Sequence, residues 1–118
     1  MLDRQFAEDF GRHWIDAWNA HDLNRVLAHY SEDFEMTSPL VAQVVGVRSC
    51  QLRGKSMVGN YWRRALERVP DLNFRLTGCF AGVDSVVLCY ETSLGRQAAE
   101  TFFFNVDRLV ERAAAHYA

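Results

Sequence analysis

The sequence is poor in the residues that break or staple a fold. Proline occurs twice and glycine seven times in 118 residues, too few for a collagenous, linker-rich or low-complexity chain. Cysteine occurs three times, as Cys50, Cys79 and Cys89, without C-x-x-C spacing, so neither a disulfide framework nor a zinc knuckle is indicated. No run approaches the roughly 20 apolar residues of a membrane span. The opening Met1-Leu2-Asp3-Arg4 lacks the basic start and apolar stretch of a secretory leader. A basic excess is also missing: thirteen Lys and Arg stand against fifteen Asp and Glu, a net charge of −2. Duplex binding draws much of its affinity from neutralising phosphates. Here the cations are scattered, with Arg63-Arg64 the only adjacent pair. These absences predict a cytoplasmic protein with no nucleic-acid and no membrane partner.

What the chain has in excess is rings. Eight Phe, four Tyr and three Trp make 13% of the residues, within a 49% hydrophobic composition. That length suits one domain spanning 1–118, large enough to bury a core without metal or disulfides.

Hydrophobic spacing changes period once along the chain. Phe6, Phe10, Trp14 and Trp18 recur every four residues, with Ala7 and Ile15 widening the stripe, which predicts an amphipathic helix over 3–20. Asn19-Ala20-His21 ends it. Asp22 is placed to cap a second, short helix carrying Leu23, Val26, Leu27 and Tyr30. A strand over 34–38 runs into Pro39. Residues 40–53 are Val-rich and read as a short strand or a loop. Ser56 is a candidate cap for a third helix with Met57, Tyr61, Ala65, Leu66 and Val69 inward, closed by Pro70. From there the chain reads as β, with strands at 72–80, 85–93, 97–106 and 109–117 separated by Gly82-Val83-Asp84, Gly95-Arg96 and Asn105-Val106-Asp107. Such short connections favour hairpins, hence an α+β domain: three N-terminal helices packed on a largely antiparallel β-sheet.

Several of these residues carry a resemblance. The run Trp14-Ile15-Asp16-Ala17-Trp18-Asn19-Ala20-His21-Asp22-Leu23, followed by Leu27-Ala28-His29-Tyr30-Ser31-Glu32-Asp33-Phe34, resembles the opening of nuclear-transport-factor-2-like proteins. It is most similar to their SnoaL-like branch and to ketosteroid isomerases. Gly54-Lys55, Tyr61-Trp62, Asn105-Val106-Asp107 and Ala115-His116-Tyr117 extend the match over nearly the whole chain. The resemblance implies a cone-shaped roll with a curved sheet. That fold hosts isomerases, polyketide cyclases, dehydratases, epoxide hydrolases and non-catalytic binding modules, so it sets architecture and not chemistry. Relatives commonly pair through the sheet face opposite the pocket, which implies a homodimer.

Ketosteroid isomerases use an Asp base, with a Tyr and a protonated Asp forming the oxyanion hole. By the resemblance these roles fall here on Ser38, Trp14 and Glu100. An indole donates a hydrogen bond but is no acid at neutral pH, and a serine hydroxyl is no base unaided. Steroid isomerase chemistry is therefore not expected.

Glu100 is the candidate catalytic residue. Alternation along Ala98-Ala99-Glu100-Thr101-Phe102-Phe103-Phe104 puts Glu100, Phe102 and Phe104 on one face. If that face is interior, burial should raise the Glu100 pKa toward the range useful for acid/base work. Otherwise Glu100 sits exposed at the sheet rim or bonds to Trp14 or Trp62. Glu91, among Val87-Leu88-Cys89-Tyr90-Glu91-Thr92, would share the interior in one register. In the other it would pair across strands with Arg75 or Arg112. His13, His21 and His29 lie eight apart rather than the three or four of a metal-binding helix, and the resemblance implies that Tyr117 faces the pocket and His116 the outer sheet surface. An acid/base pair of Asp16 or Asp33 with a histidine has no support from spacing.

Trp14, Trp18, Tyr30, Phe34, Met36, Ser38, Tyr61, Trp62, Leu66, Phe102 and Tyr117 are the candidate ligand-binding residues, drawn from every predicted element. Tyr and Trp have polar tips that need partners when buried, which suits a ring-lined site for a small apolar or aromatic molecule. Phe6 and Phe10 read as packing, while Phe103 and Val87 fall on the opposite sheet face. There is no Gly-rich phosphate loop and no nucleophile elbow, so no cofactor is implied. Two functions remain open: a cofactor-free isomerase, cyclase, dehydratase or hydrolase, or a non-catalytic dimeric binding or interaction module.

Overall fold

A computed structural model describes all residues, 1–118. Helix α1 spans Arg4–Asn19, and the Asp3 carboxylate caps it by accepting from the Phe6 amide at 2.8 Å. Its buried stripe is Ala7, Phe10, Gly11, Trp14, Ile15, Ala17 and Trp18. Gly11 is where the helix touches the sheet. A Cβ there would stand 3.0 Å from both Cys79 Sγ and Leu88 Cδ2, so the missing side chain sets how closely the layers approach. Helix α2, Leu23–Leu27, is capped by Asp22 as the sequence predicts.

Six strands form one open sheet in the order β2-β1-β6-β5-β4-β3. They are β1 Tyr30–Thr37, β2 Gln51–Arg53, β3 Arg75–Ala81, β4 Ser85–Glu91, β5 Gln97–Phe104 and β6 Val110–Tyr117. All pairings are antiparallel except β1 with β6, which run parallel. The α+β class with helices on a largely antiparallel sheet is thus the observed one.

Four helices precede the meander, not three. The ambiguous 40–53 segment contains helix α3, Val41–Val45, and then β2, the edge strand. Five residues give too little periodicity to reveal a helix that tertiary contacts hold in place. The last helix, α4, Lys55–Arg68, is entered through Gly54 at φ +87°, and no side chain caps it. Ser56 therefore lies inside the helix. Within α4, Val58, Tyr61 and Trp62 are buried, while Met57 is exposed. Tyr30 opens β1 instead of closing α2.

The inner face of β5 carries Ala98, Glu100, Phe102 and Phe104, all buried. Toward one end, Phe102 and Phe104 meet Phe10 edge-on at 4.9 and 5.1 Å, and Phe6 caps Phe104 at 5.1 Å. Toward the other end the rings stop short of filling the space.

Candidate functional site

Between α1, α4 and that second end of the sheet lies a cavity of about 210 Å³. This is smaller than the roughly 300–1,000 Å³ of a drug-sized site. Its walls are mostly apolar. Trp14 and Trp18 come from α1, Tyr61 and Trp62 from α4, Met36 from β1, and Tyr90 from β4. A small side chain on β6 leaves room beside the carboxyl: Ala115 stands opposite Glu100 and lines the cavity.

Of the twelve residues proposed from sequence, eight line this space: Trp14, Trp18, Met36, Ser38, Tyr61, Trp62, Glu100 and Tyr117. Tyr30, Phe34, Phe102 and Leu66 do not. Tyr30, Phe34 and Phe102 are almost completely enclosed behind the wall, Tyr30 and Phe34 packing on each other at 4.3 Å. Leu66 packs against the core from the half-buried side of α4. Sequence spacing sorts residues onto a face, but depth below that face is decided by neighbouring elements.

The polar tips are arranged unequally. Trp14 Nε1 donates to the Tyr30 hydroxyl at 2.9 Å, so the indole that stands in the oxyanion position is already committed inside the core. Ser38 Oγ accepts from the Leu40 amide at 3.3 Å, and its hydroxyl lies beside the Tyr61 and Tyr117 phenols. Trp18 Nε1 is the one buried side-chain nitrogen or oxygen with no hydrogen-bond partner.

Glu100 is 5% exposed. Its Oε1 accepts from the Tyr90 hydroxyl at 3.0 Å, not from Trp14 or Trp62. Oε2 makes no hydrogen bond within the protein yet is not among the sealed, unpartnered atoms, so it reaches the cavity that Glu100 lines. Burial disfavours the charged form and outweighs the Tyr90 hydrogen bond that favours it, leaving the carboxyl pushed up to about 7. Burial, reinforced by the Glu100 charge, raises the Tyr90 and Tyr117 phenols well above their ordinary value. Those phenols therefore donate hydrogen bonds at neutral pH without ionising.

The other candidates fall outside the cavity. Glu91 turns to the outer face and pairs with Arg75 at 2.7 Å, as one of its two registers predicts. His116 is exposed on the outer surface, where Nδ1 lies 3.2 Å from the Ala99 carbonyl. His13 and His29 stack at 6.5 Å, away from the cavity lining. Asp16 and Asp33 are exposed and bond to no histidine.

Sequence reasoning missed Tyr90 and Phe74. Asn19 positions Phe74: its Oδ1 accepts from the Phe74 amide at 2.7 Å and its Nδ2 donates to the Phe74 carbonyl at 2.9 Å. This bracket ties the end of α1 to the entry of β3. The signal for Tyr90 was its alternation with Leu88 and Val86 on a strand paired with β5 (Leu88 opposite Glu100). Leu40, Ala65, Val69, Leu72 and the 92–96 turn complete the lining.

A model of the SnoaL-like domain family matches residues 11–115. A SnoaL-like protein of unknown function from Burkholderia thailandensis is 52% identical, with 100% of this chain and 99% of that chain covered and a TM-score of 0.94. Two more distant structures share the fold alone. One is a protein from Sinorhizobium meliloti with a provisional polyketide cyclase designation, at TM-score 0.75 and 11% identity over 98% of this chain and 100% of that one. The other is a nuclear-transport-factor-2-like protein of unknown function from Cytophaga hutchinsonii, at TM-score 0.66 and 13% identity over 100% and 95%. No functionally curated protein matches the chain. No helix is long and apolar enough to cross a membrane.

Proposed function

The chain belongs to the SnoaL-like domain family of the nuclear-transport-factor-2-like superfamily, and we propose that its cavity binds a small, largely apolar molecule on which Glu100 acts as general acid and base. One observation carries this reading: a carboxyl oxygen reaches an apolar cavity with its pKa pushed up to about 7. At neutral pH both protonation states are then populated, which is the condition for efficient proton transfer in either direction. Cavity-lining tyrosines supply hydrogen bonds and remain neutral.

Of the cofactor-free reactions open to the fold, isomerisation fits best. A single carboxyl can take a proton from one carbon and return it to another. Dehydration or hydrolysis would call on a second acid or base, or a held water, and Glu91 and the histidines stand elsewhere.

The test is a thermal-shift screen of small hydrophobic metabolites, since a ligand that binds only the folded state raises its apparent stability. Hits are then incubated in deuterated water. Deuterium incorporation by the wild type, lost in Glu100→Gln with binding kept, is the expected result. Binding without exchange in the wild type would make the protein a non-catalytic binding module instead. Trp14→Phe should weaken binding if hits occupy this cavity.

We further propose that two copies meet through the outer sheet face. Val87, Cys89, Ala99, Thr101 and Phe103 are only half-buried there, and Phe80 is 59% exposed. Light scattering reads the mass directly, and Phe103→Glu should shift a dimer toward monomer. A monomeric wild type would end this proposal.

A further inference from the structure

The cavity has one end deep in the sheet and one end at the β4–β5 turn, and the two ends differ in charge. Glu100 and Arg96 are its only lining residues with an acidic or basic side chain. Glu100 is buried, whereas Arg96 is exposed at the mouth. They share a face of β5 and its approach, four residues apart, which separates their Cα atoms by about 13 Å at strand rise.

Arg96 is held in place rather than free to sweep. Its Nε donates to the Ala118 backbone oxygen at 3.1 Å, and its guanidinium lies 5.0 Å over the ring of Tyr117, itself a wall residue. Backbone bonds fix the turn that carries it: the Thr92 amide donates to the Arg96 carbonyl at 2.8 Å, and the Gly95 amide to the Thr92 carbonyl at 2.9 Å. Ser93 in the same turn is bracketed to Asn73 by two hydrogen bonds, of 2.6 and 3.1 Å. The terminal nitrogens Nη1 and Nη2 make no hydrogen bond to a side chain, and no side-chain carboxylate forms an ion pair with Arg96. A positioned guanidinium fork with free terminal donors matches a planar carboxylate in both charge and geometry.

We propose that the ligand class of this cavity is a small amphipathic carboxylic acid. Its apolar body, a ring or short chain, fills the aromatic space beside Glu100, and its carboxylate sits at the mouth on Arg96. Arg96 is thereby a specificity-determining residue, and Glu100 meets the apolar end of the ligand, where a proton on carbon is to be moved. This rests on the proposed binding function of the cavity and adds the charge and polarity of what enters it.

Matched probes test it. Phenylacetate, 4-phenylbutyrate and 6-phenylhexanoate are titrated against the corresponding alcohols by calorimetry at pH 6 and low salt. The acids are then ionised and Glu100 is mostly protonated. For at least one chain length, the acid is expected to bind about tenfold more tightly than its alcohol, the size of one charge-assisted contact at a partly exposed site. Arg96→Gln should abolish that preference by weakening the acid about tenfold and the alcohol much less, and Arg96→Lys should restore only part of it. Equal binding of acid and alcohol by the wild type would overturn the ligand class and leave the cavity reading standing. So would a preference that survives in Arg96→Gln, since it would place the carboxylate elsewhere. If neither series binds at any length, the cavity reading falls and this inference falls with it.

Discussion

The two ends of the inner sheet face are built from the same strand and the same helix, yet one is solid and the other hollow. At one end Phe102 and Phe104 of β5 interlock with Phe6 and Phe10 of α1 at centroid distances of 4.9–5.1 Å. At the other, Glu100 and Ala115 face Trp14, Trp18, Tyr61 and Trp62 across about 210 Å³ of space. Ring density does not separate them. Side-chain volume on β5 does, because Ala98 and Glu100 stand where Phe102 and Phe104 stand further along, while β6 presents alanine opposite both Glu100 and Phe102. A hollow needs small residues opposite large rigid ones, and rigid rings do not collapse into the gap as flexible chains would.

The largest test of this contrast is Phe102→Ala. Its ring is fully enclosed and touches Phe10 and Trp14 edge-on at 4.9 and 5.3 Å. Truncation at the solid end should cost about 3–5 kcal/mol in urea unfolding, and a loss near 1 kcal/mol would mean that end is not well packed. Next is Glu100→Gln, which keeps the shape and the Tyr90 hydrogen bond but removes the charge. A carboxyl with its folded pKa raised to about 7 makes stability fall as pH rises from about 4.5 to 7, because the unfolded chain releases its proton first. The difference is on the order of 3 kcal/mol. Glu100→Gln should therefore stabilise the protein at pH 8, leave it unchanged near pH 4, and flatten the profile between. A parallel pH profile for the two proteins would mean Glu100 titrates normally.

Tyr30→Phe should cost less, about 1–3 kcal/mol, since it strands the buried Trp14 indole N–H. Chemical denaturation of Tyr30→Phe alongside Trp14→Phe and the double variant isolates that bond, and additive losses would argue that it contributes nothing. The smallest stability effect is expected at the hollow end. Ala115→Leu projects into empty space opposite Glu100, so its cost should stay below about 1 kcal/mol, against the 1–3 kcal/mol typical of overpacking a filled core. The same substitution should abolish ligand binding in calorimetry. Retained binding would place the ligand elsewhere.

Much of the architecture was legible because it depends on local order. The Phe6-Phe10-Trp14-Trp18 stripe, the Asp22 cap and the alternation of Ala98 through Phe104 each express a period that one element imposes on its own residues. The parallel pairing of β1 with β6 was not legible, because strands far apart in sequence carry no sign of whom they will meet. Nor was α3, too short to show a period. Among site residues, the face was readable and the depth was not. Tyr30 and Phe102 share the inward side with Tyr61 and Tyr117 but lie behind the wall. Tyr90 escaped notice because its role comes entirely from standing beside Glu100 on the neighbouring strand.

By itself, the sequence determined that helices precede a meander, that rings repeat along one face of the first helix, and that Glu100 shares a strand face with Phe102 and Phe104. The tertiary structure alone decided that Glu100 keeps one oxygen on Tyr90 and one open to a cavity, that Trp14 spends its donor on Tyr30, and that Arg96 stands at the mouth. The reason is physical. Periodicity is a property of one segment, whereas burial, hydrogen-bond partners and empty volume are properties of several segments brought together.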